Sequence, residues 1–133
     1  MSNTSETMEL TTAPDHPLAS RFIDVDAMDW TPTELPGVDM KLLYKDEAAG
    51  RSTILFRMAP GSRVPLHMHT DVEQTWMLEG SLVDEQGACT AGNFVWRPAG
   101  NTHEAHSPDG ALFISVFLKP NKFLDDQPTF AKS

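Results

Sequence analysis

"GSRVPLHMHTDVEQTWMLEG", residues 61–80, carries two of the chain's five histidines one residue apart, a glutamate four residues after the second, and a glycine at each end. Side chains alternate faces along a strand, so in an extended segment His67 and His69 point the same way with Met68 behind them. Two imidazoles so placed can converge on one ion at ~2.0–2.1 Å each. Thr70 and Asp71 permit a tight bend, and a chain that folds back there returns the Glu73 carboxylate toward the same point. Two histidines and one carboxylate make a facial triad suited to Fe(II), Mn(II) or similar ions, with positions left open for chemistry. Taken alone, the segment also reads as an ordinary strand pair, because histidine is common on solvated faces.

Outward from this stretch the chain is a series of short runs rich in β-formers. "VDMKLLY", "STILFRMA", "EQTWMLE", "SLVDE", "NFVWR" and "ALFISVFL" are separated by "DEAAG", "APG", "EG", "EQGACTAG", "PAGN" and "SPDG". Short strands at roughly 8–12 residue intervals, punctuated by Gly, Pro and Asp turns, predict an all-β sandwich or barrel. A further short strand is expected over Phe22–Asp26, followed by a turn at "PTELPG". No segment has a helical period of convincing length, and there is no internal repeat. "FLDDQPTFAKS" holds one more turn or strand, which the pattern does not decide between. Residues 1–19 are rich in Thr, Ser, Pro and acidic groups and read as a flexible tail, leaving residues 20–133 as one domain.

A second stretch bears on the histidines. "GNFVWRPAGNTHEAHS", residues 92–107, sets Gly92, Pro98, Gly100 and His103 at fixed intervals. With it the sequence resembles the cupin superfamily. The first cupin motif, G(x)5HxH(x)3–4E(x)6G, is met by Gly61, His67, His69, Glu73 and Gly80. The second, G(x)5PxG(x)2H(x)3N, is met by Gly92, Pro98, Gly100 and His103, with Ser107 where Asn is usual. The resemblance implies a single-domain double-stranded β-helix, or jelly-roll barrel, over about residues 20–120. It also implies that His67, His69, Glu73 and His103 bind one divalent metal inside it, Fe(II) foremost, with Zn, Mn or Ni as alternatives. His103 is then expected to begin a strand beside the HxH strand. Gly80 and Gly100 suit positive-φ turns, and Pro98 ends one strand before the next restarts.

Strand parity assigns the neighbours. Thr75 and Met77 share the face of Glu73, whereas Trp76 and Leu78 point away toward packing or a dimer interface. His106, three residues after His103, falls on the opposite face and is not a ligand. Gln74 would replace Glu73 only with a longer bend, and the spacing to Gly80 favours Glu73. Phe94 and Trp96 alternate with Val95 and either set can face inward; core packing is the expectation for the aromatics. Arg97 is expected in a surface salt bridge, with attraction of an anionic substrate as the alternative.

Composition narrows the class. A 133-residue chain with a formal charge of −9 and scattered basic residues excludes a phosphate-binding nucleic-acid partner. Its single cysteine, Cys89, excludes an intrachain disulfide. No apolar run approaches the ~20 residues of a membrane span, and the N-terminus lacks the basic and apolar regions of a secretion signal. A cytoplasmic location is the expectation. Residues 1–19 are too few and too polar for a helical partner-binding domain.

The cupin scaffold alone names no reaction. Beyond the metal motifs, "PGVDMKLLY", "STILFRMAPG" and "VFLKPNKFLDD" resemble a small bacterial group of acetylacetone-cleaving and dihydroxyacetophenone dioxygenases. "MLEGSLVDEQG" resembles, besides these, the zinc cupin module of an anti-sigma factor. The activity this resemblance implies is that of an Fe(II) dioxygenase cleaving a C–C bond of a small β-diketone or hydroxyketone with O2. In it Glu73 serves as fourth ligand or as a base beside the metal. The alternatives are a non-catalytic regulatory or sensor cupin and a non-oxidative decarboxylase or isomerase. A homodimer is expected, since a small core and open sheet edges both benefit from pairing.

Overall fold

The computed structural model describes residues 13–124. Ten strands occur among them: β1 (Thr31–Pro32), β2 (Val38–Asp46), β3 (Arg51–Met58), β4 (Ser62–Met68), β5 (Glu73–Asp84), β6 (Gly87–Thr90), β7 (Phe94–Arg97), β8 (Thr102–Ser107), β9 (Ala111–Phe117) and β10 (Lys122–Phe123). All pairings are antiparallel, and the hydrogen-bonded order is β1-β2-β3-β9-β5-β8-β4-β10, with β6 and β7 also on β5. This is the expected all-β architecture, curled into a barrel whose interior is lined by the inward side chains of both halves.

The long strand β5 joins the two halves. Its first part pairs with β9 and β7, and residues 81–84 pair with β6. "EG" was expected to be a turn between two strands; instead the strand continues through Gly80 at φ 74°, just past a bulge between Met77 and Glu79. Only glycine fits there, because a Cβ at Gly80 would run into the Gly110 carbonyl oxygen. The bulge and the positive φ re-aim the chain from one sheet to the other.

Two further expectations change. "EQGACTAG" contains β6, a hairpin partner closed by Asp84, whose Oδ1 accepts the backbone N–H groups of Gln86 and Gly87 at 2.8 and 3.0 Å. Small residues such as Gly87, Ala88 and Cys89 carry little strand signal, so pairing rather than propensity makes this strand. No strand forms over Phe22–Asp26; the segment makes a single 3-10 turn at Val25–Ala27. It crosses the outside of β2, where Lys41 Nζ donates to the Val25 carbonyl at 2.7 Å. The β2 edge is paired only by Thr31 and Pro32, and a proline offers no N–H to extend the ladder.

The interior is apolar at its closed end. Phe56 packs against Phe113 and Phe117 with ring centroids 5.4 and 6.3 Å away. Each such buried ring contributes ~1.5–3 kcal/mol. Val38, Ile54, Met58, Val64, Met77 and Leu82 complete most of this cluster. Residues 1–12, most of the expected tail, lie outside the described residues, as do residues 125–133 of the undecided C-terminal segment; its first residue, Phe123, pairs with His67 of β4 as the end of β10. Among the described residues no helix is long and apolar enough to cross a membrane.

Candidate metal centre

His67 stands near the end of β4, directly across from His103 on β8. A register shift between Val64 and His67 follows from Pro65, which has no N–H to give the ladder. His69 lies just past β4 and is held through its backbone: its N–H donates to the Asn101 carbonyl at 2.9 Å, and its carbonyl accepts from Gly100 at 2.7 Å. The Pro98–Gly100 turn of the second motif thus clamps the second histidine of the first. Three elements bring His67, His69 and His103 together, all buried, with one nitrogen of each within 4.8 Å of the others. Two imidazole nitrogens bound to one ion at ~2.0–2.1 Å lie at most ~4.2 Å apart, so a small inward shift of the rings brings the three onto one ion.

Each imidazole is oriented from behind. His67 Nδ1 donates to the Pro65 carbonyl at 2.8 Å, and His103 Nδ1 to Asp84 Oδ2 at 3.0 Å. His69 Nδ1 faces Asn121 Oδ1 at 3.0 Å and Glu73 Oε2 at 3.3 Å. With a proton acceptor at every Nδ1, the lone pairs are left on the three Nε2 atoms. His69 Nε2 is buried with no hydrogen-bond partner among the protein atoms. A fully buried acceptor without a partner is costly, and a divalent cation satisfies it, so these residues fit a metal.

The electrostatics agree with that fit. Burial, then the Arg97 guanidinium and the other two histidines, hold His103 down at about 4 against the opposing Asp84. Burial likewise lowers His67. Imidazoles that stay neutral are what a metal requires. Burial alone would raise the Glu73 carboxyl, but the hydrogen bond and charge of His69, with the Asn121 amide, outweigh it and hold it below its ordinary value. Asn121 Nδ2 donates to Glu73 Oε2 at 3.2 Å. The Glu73 carboxylate therefore sits at the back of His69, beside rather than within the three-nitrogen cluster. Its other oxygen, Oε1, accepts from Thr75 at 3.5 Å, and Thr75 pairs with Ser115 at 2.8 Å.

His67, Glu73, His103, Thr75 and Ser115 form the polar wall of a small, otherwise apolar cavity, closed by Val38, Phe56, Leu82, Phe113 and Phe117 among others. Thr75 and Met77 are buried on the Glu73 face, as parity requires. Trp76, Leu78, Phe94 and Trp96 are exposed on the outside, so the aromatics of β7 are not core. His106 is only partly buried, and on a β8 that alternates inward and outward it falls on the side away from His103.

Arg97 is not on the surface: it pairs with Asp84 Oδ2 at 2.8 Å, both side chains more than nine-tenths buried. Asp84 escaped the sequence reading because the bulge before Gly80 inverts the parity of β5. Counted by twos from Glu73 it falls outside, whereas in the fold it faces in beneath His103. Burial would raise Asp84, but the Gln86 N–H, Arg97 and His103 outweigh it and lower it. Asn121 was also missed, since it is brought to His69 across a sequence separation of 52 residues.

A curled antiparallel barrel with three histidines converging inside it is a cupin. Within that class, the chain belongs to the family described as the ChrR cupin-like domain, whose model matches residues 19–122. No curated protein is similar enough in sequence to count as a relative. Among solved structures, an acetylacetone dioxygenase from Acinetobacter johnsonii superposes with a TM-score of 0.74 at 20% identity, covering 86% of this chain and 85% of that one. The Rhodobacter sphaeroides SigE–anti-sigma ChrR complex gives 0.60 at 21% identity over 70% of this chain and 50% of that one. The polyketide cyclase RemF from Streptomyces resistomycificus gives 0.65 at 18% identity, over 81% and 87%. These likenesses show the shared fold, among neighbours that include both enzymes and a regulator.

Proposed function

We propose that the chain is a cytoplasmic, homodimeric non-haem Fe(II) dioxygenase that cleaves a C–C bond of a small β-diketone or hydroxyketone. The observation that carries this reading is the set of three converging imidazoles, each oriented by an Nδ1 partner, of which His67 and His103 line an apolar cavity. The likeness to an acetylacetone dioxygenase supports it. His67, His69 and His103 hold the ion, which when bound supplies Lewis acidity and electron exchange with O2.

The protein's own residues do the rest. The apolar wall suits a small neutral ketone and excludes water, and the hydrogen-bonded Thr75–Ser115 pair gives that wall a polar spot for a substrate oxygen. Glu73, ionised beside His69 and dry, takes the proton from the acidic carbon at Oε1, the oxygen turned toward Thr75. Its contact on the Nδ1 side of His69 favours this role over that of fourth ligand. The test is O2 uptake by Fe(II)-loaded protein with a panel of β-diketones and hydroxyketones. Substrate-dependent uptake is expected; protein with one bound iron per chain that consumes no O2 with any of them would refute it.

A regulatory cupin is the second reading, supported by the ChrR family match. Metal analysis of protein purified without added metal separates the two: iron accompanies oxygenase chemistry, tightly held zinc a structural or sensing role. Substrate loss without O2 uptake would instead mark a non-oxidative lyase or isomerase.

A further inference from the structure

The strand "ALFISVF" of β9 is apolar on both faces, the pattern of a strand covered from both sides. Its inward residues Phe113, Ser115 and Phe117 are buried in the barrel, while Leu112, Ile114 and Val116 face out and are only partly covered. The outside of this sheet divides in two. Over β2 and β3 the segment leading to β1 lies across it, with Trp30 stacked on Lys41 and Arg57 at 4.7 and 4.2 Å. Under that cover Leu55 and Lys41 are buried even though they point away from the interior cluster.

Over β9, β5 and β7 the same sheet face is open. Trp76 lies opposite both Ile114 and Phe94, its ring 6.2 Å from that of Phe94, and Gln74 lies opposite both Val116 and Trp96. Trp76, Phe94 and Trp96 are 51%, 48% and 59% exposed. Together with Leu78 they form a contiguous apolar patch of a kind that monomers seldom leave bare.

We propose that this outer face of β9, β5 and β7 is where a second copy of the chain binds. It goes beyond the homodimer in the reading above by naming the surface, and it does not depend on the reaction.

Two observations favour a second copy over another occupant. The centre of this patch (Gln74, Trp76, Phe94, Trp96, Ile114, Val116) holds no charge, in a chain of net charge −9, and Glu79, opposite Leu112, stands at its end. Two bodies of like charge approach at lowest cost where neither carries any. With charge only at its end, the patch gives a charged partner little to pair with. Area points the same way. Aromatic side chains carry ~150–250 Å² each, so the half-exposed rings, with Leu78 and the β9 row, offer ~400 Å² per copy. A standard interface takes ~800 Å² per partner. The segment that covers the other half of the face supplies more, since Phe22 is 94% exposed and Ile23 50%.

The site and this face are separate, because Thr75 and Met77 point into the barrel while their neighbours Trp76 and Leu78 point out. Metal content therefore reports folding independently of assembly. Sedimentation velocity of the metal-loaded full chain from 1 to 100 µM is expected to show a dimer. Trp96→Glu and, separately, Phe94→Glu should raise its dissociation constant about 100-fold with metal stoichiometry unchanged. The larger charge change at Arg63→Glu, on β4, should leave it intact. In the unmodified dimer, acrylamide should quench Trp76 and Trp96 poorly, a readout that needs no variant on the face. A monomer at 100 µM overturns the proposal, even with protected tryptophans, which would assign the cover to another segment of the same chain. A dimer that survives both substitutions, or one whose tryptophans are fully quenched, overturns it as well.

Discussion

At the scale of single residues, the proposed centre separates groups that would hold an ion from groups that orient them. His103→Ala removes one of three converging nitrogens and should reduce bound metal to well below one equivalent, read by elemental analysis after dialysis. Glu73→Gln keeps a side chain that still meets Asn121 and His69 but cannot take a proton. It should retain full metal content and lose ~10²–10⁴-fold in turnover; equal loss of metal would make Glu73 a ligand instead. Asp84→Ala strips the acceptor from His103 Nδ1 and leaves Arg97 buried without its 2.8 Å partner. Metal affinity should fall ~10–100-fold, by competition with a chelator. Stability should fall by ~3–5 kcal/mol, because an unpaired buried charge remains. His67, His69, Glu73 and His103 were all legible from spacing and the cupin resemblance. Asp84 and Asn121 were not, because neither has a motif of its own.

Among the elements, β5 decides most. It passes from one sheet to the other at Gly80, where the backbone is left-handed and the Gly110 carbonyl leaves no room for a Cβ. Gly80→Ala should cost well over 2 kcal/mol in urea unfolding, combining backbone strain with a clash that neither strand can relieve. Gly92→Ala has a similar φ of 83° but nothing within 4 Å of the added methyl. It should cost ~1–2 kcal/mol, the left-handed penalty alone. Equal losses at the two positions would show that packing at the crossing point matters little. The missed β6 and the absent strand at Phe22–Asp26 have one cause. Strands exist where an edge is available to pair with, and edge availability is a tertiary property that β-propensity does not encode.

For the whole molecule, the buried histidines tie stability to pH. His103 titrates at about 4 in the folded metal-free protein, against an ordinary 6.5. Between those values the unfolded chain binds the extra proton and the folded one does not. Stability of the metal-free protein should therefore fall as pH drops below about 6.5. The slope contributed by His103 approaches ~1.4 kcal/mol per pH unit. Urea midpoints of chelator-treated protein at pH 7, 6 and 5 measure it, and a flat profile would mean that the site opens to water without its ion.

The sequence by itself determined an all-β chain and the spaced motifs that single out His67, His69, Glu73 and His103. Those properties are local: alternation along a strand, turn chemistry and fixed intervals between histidines survive in one dimension. Only the tertiary structure decided which groups stand behind the imidazoles, which face of each strand is wet, and that Arg97 is buried. A single bulge between Met77 and Glu79 inverts every side chain that follows it on β5. From that point the inside of the barrel can be known only by closing it.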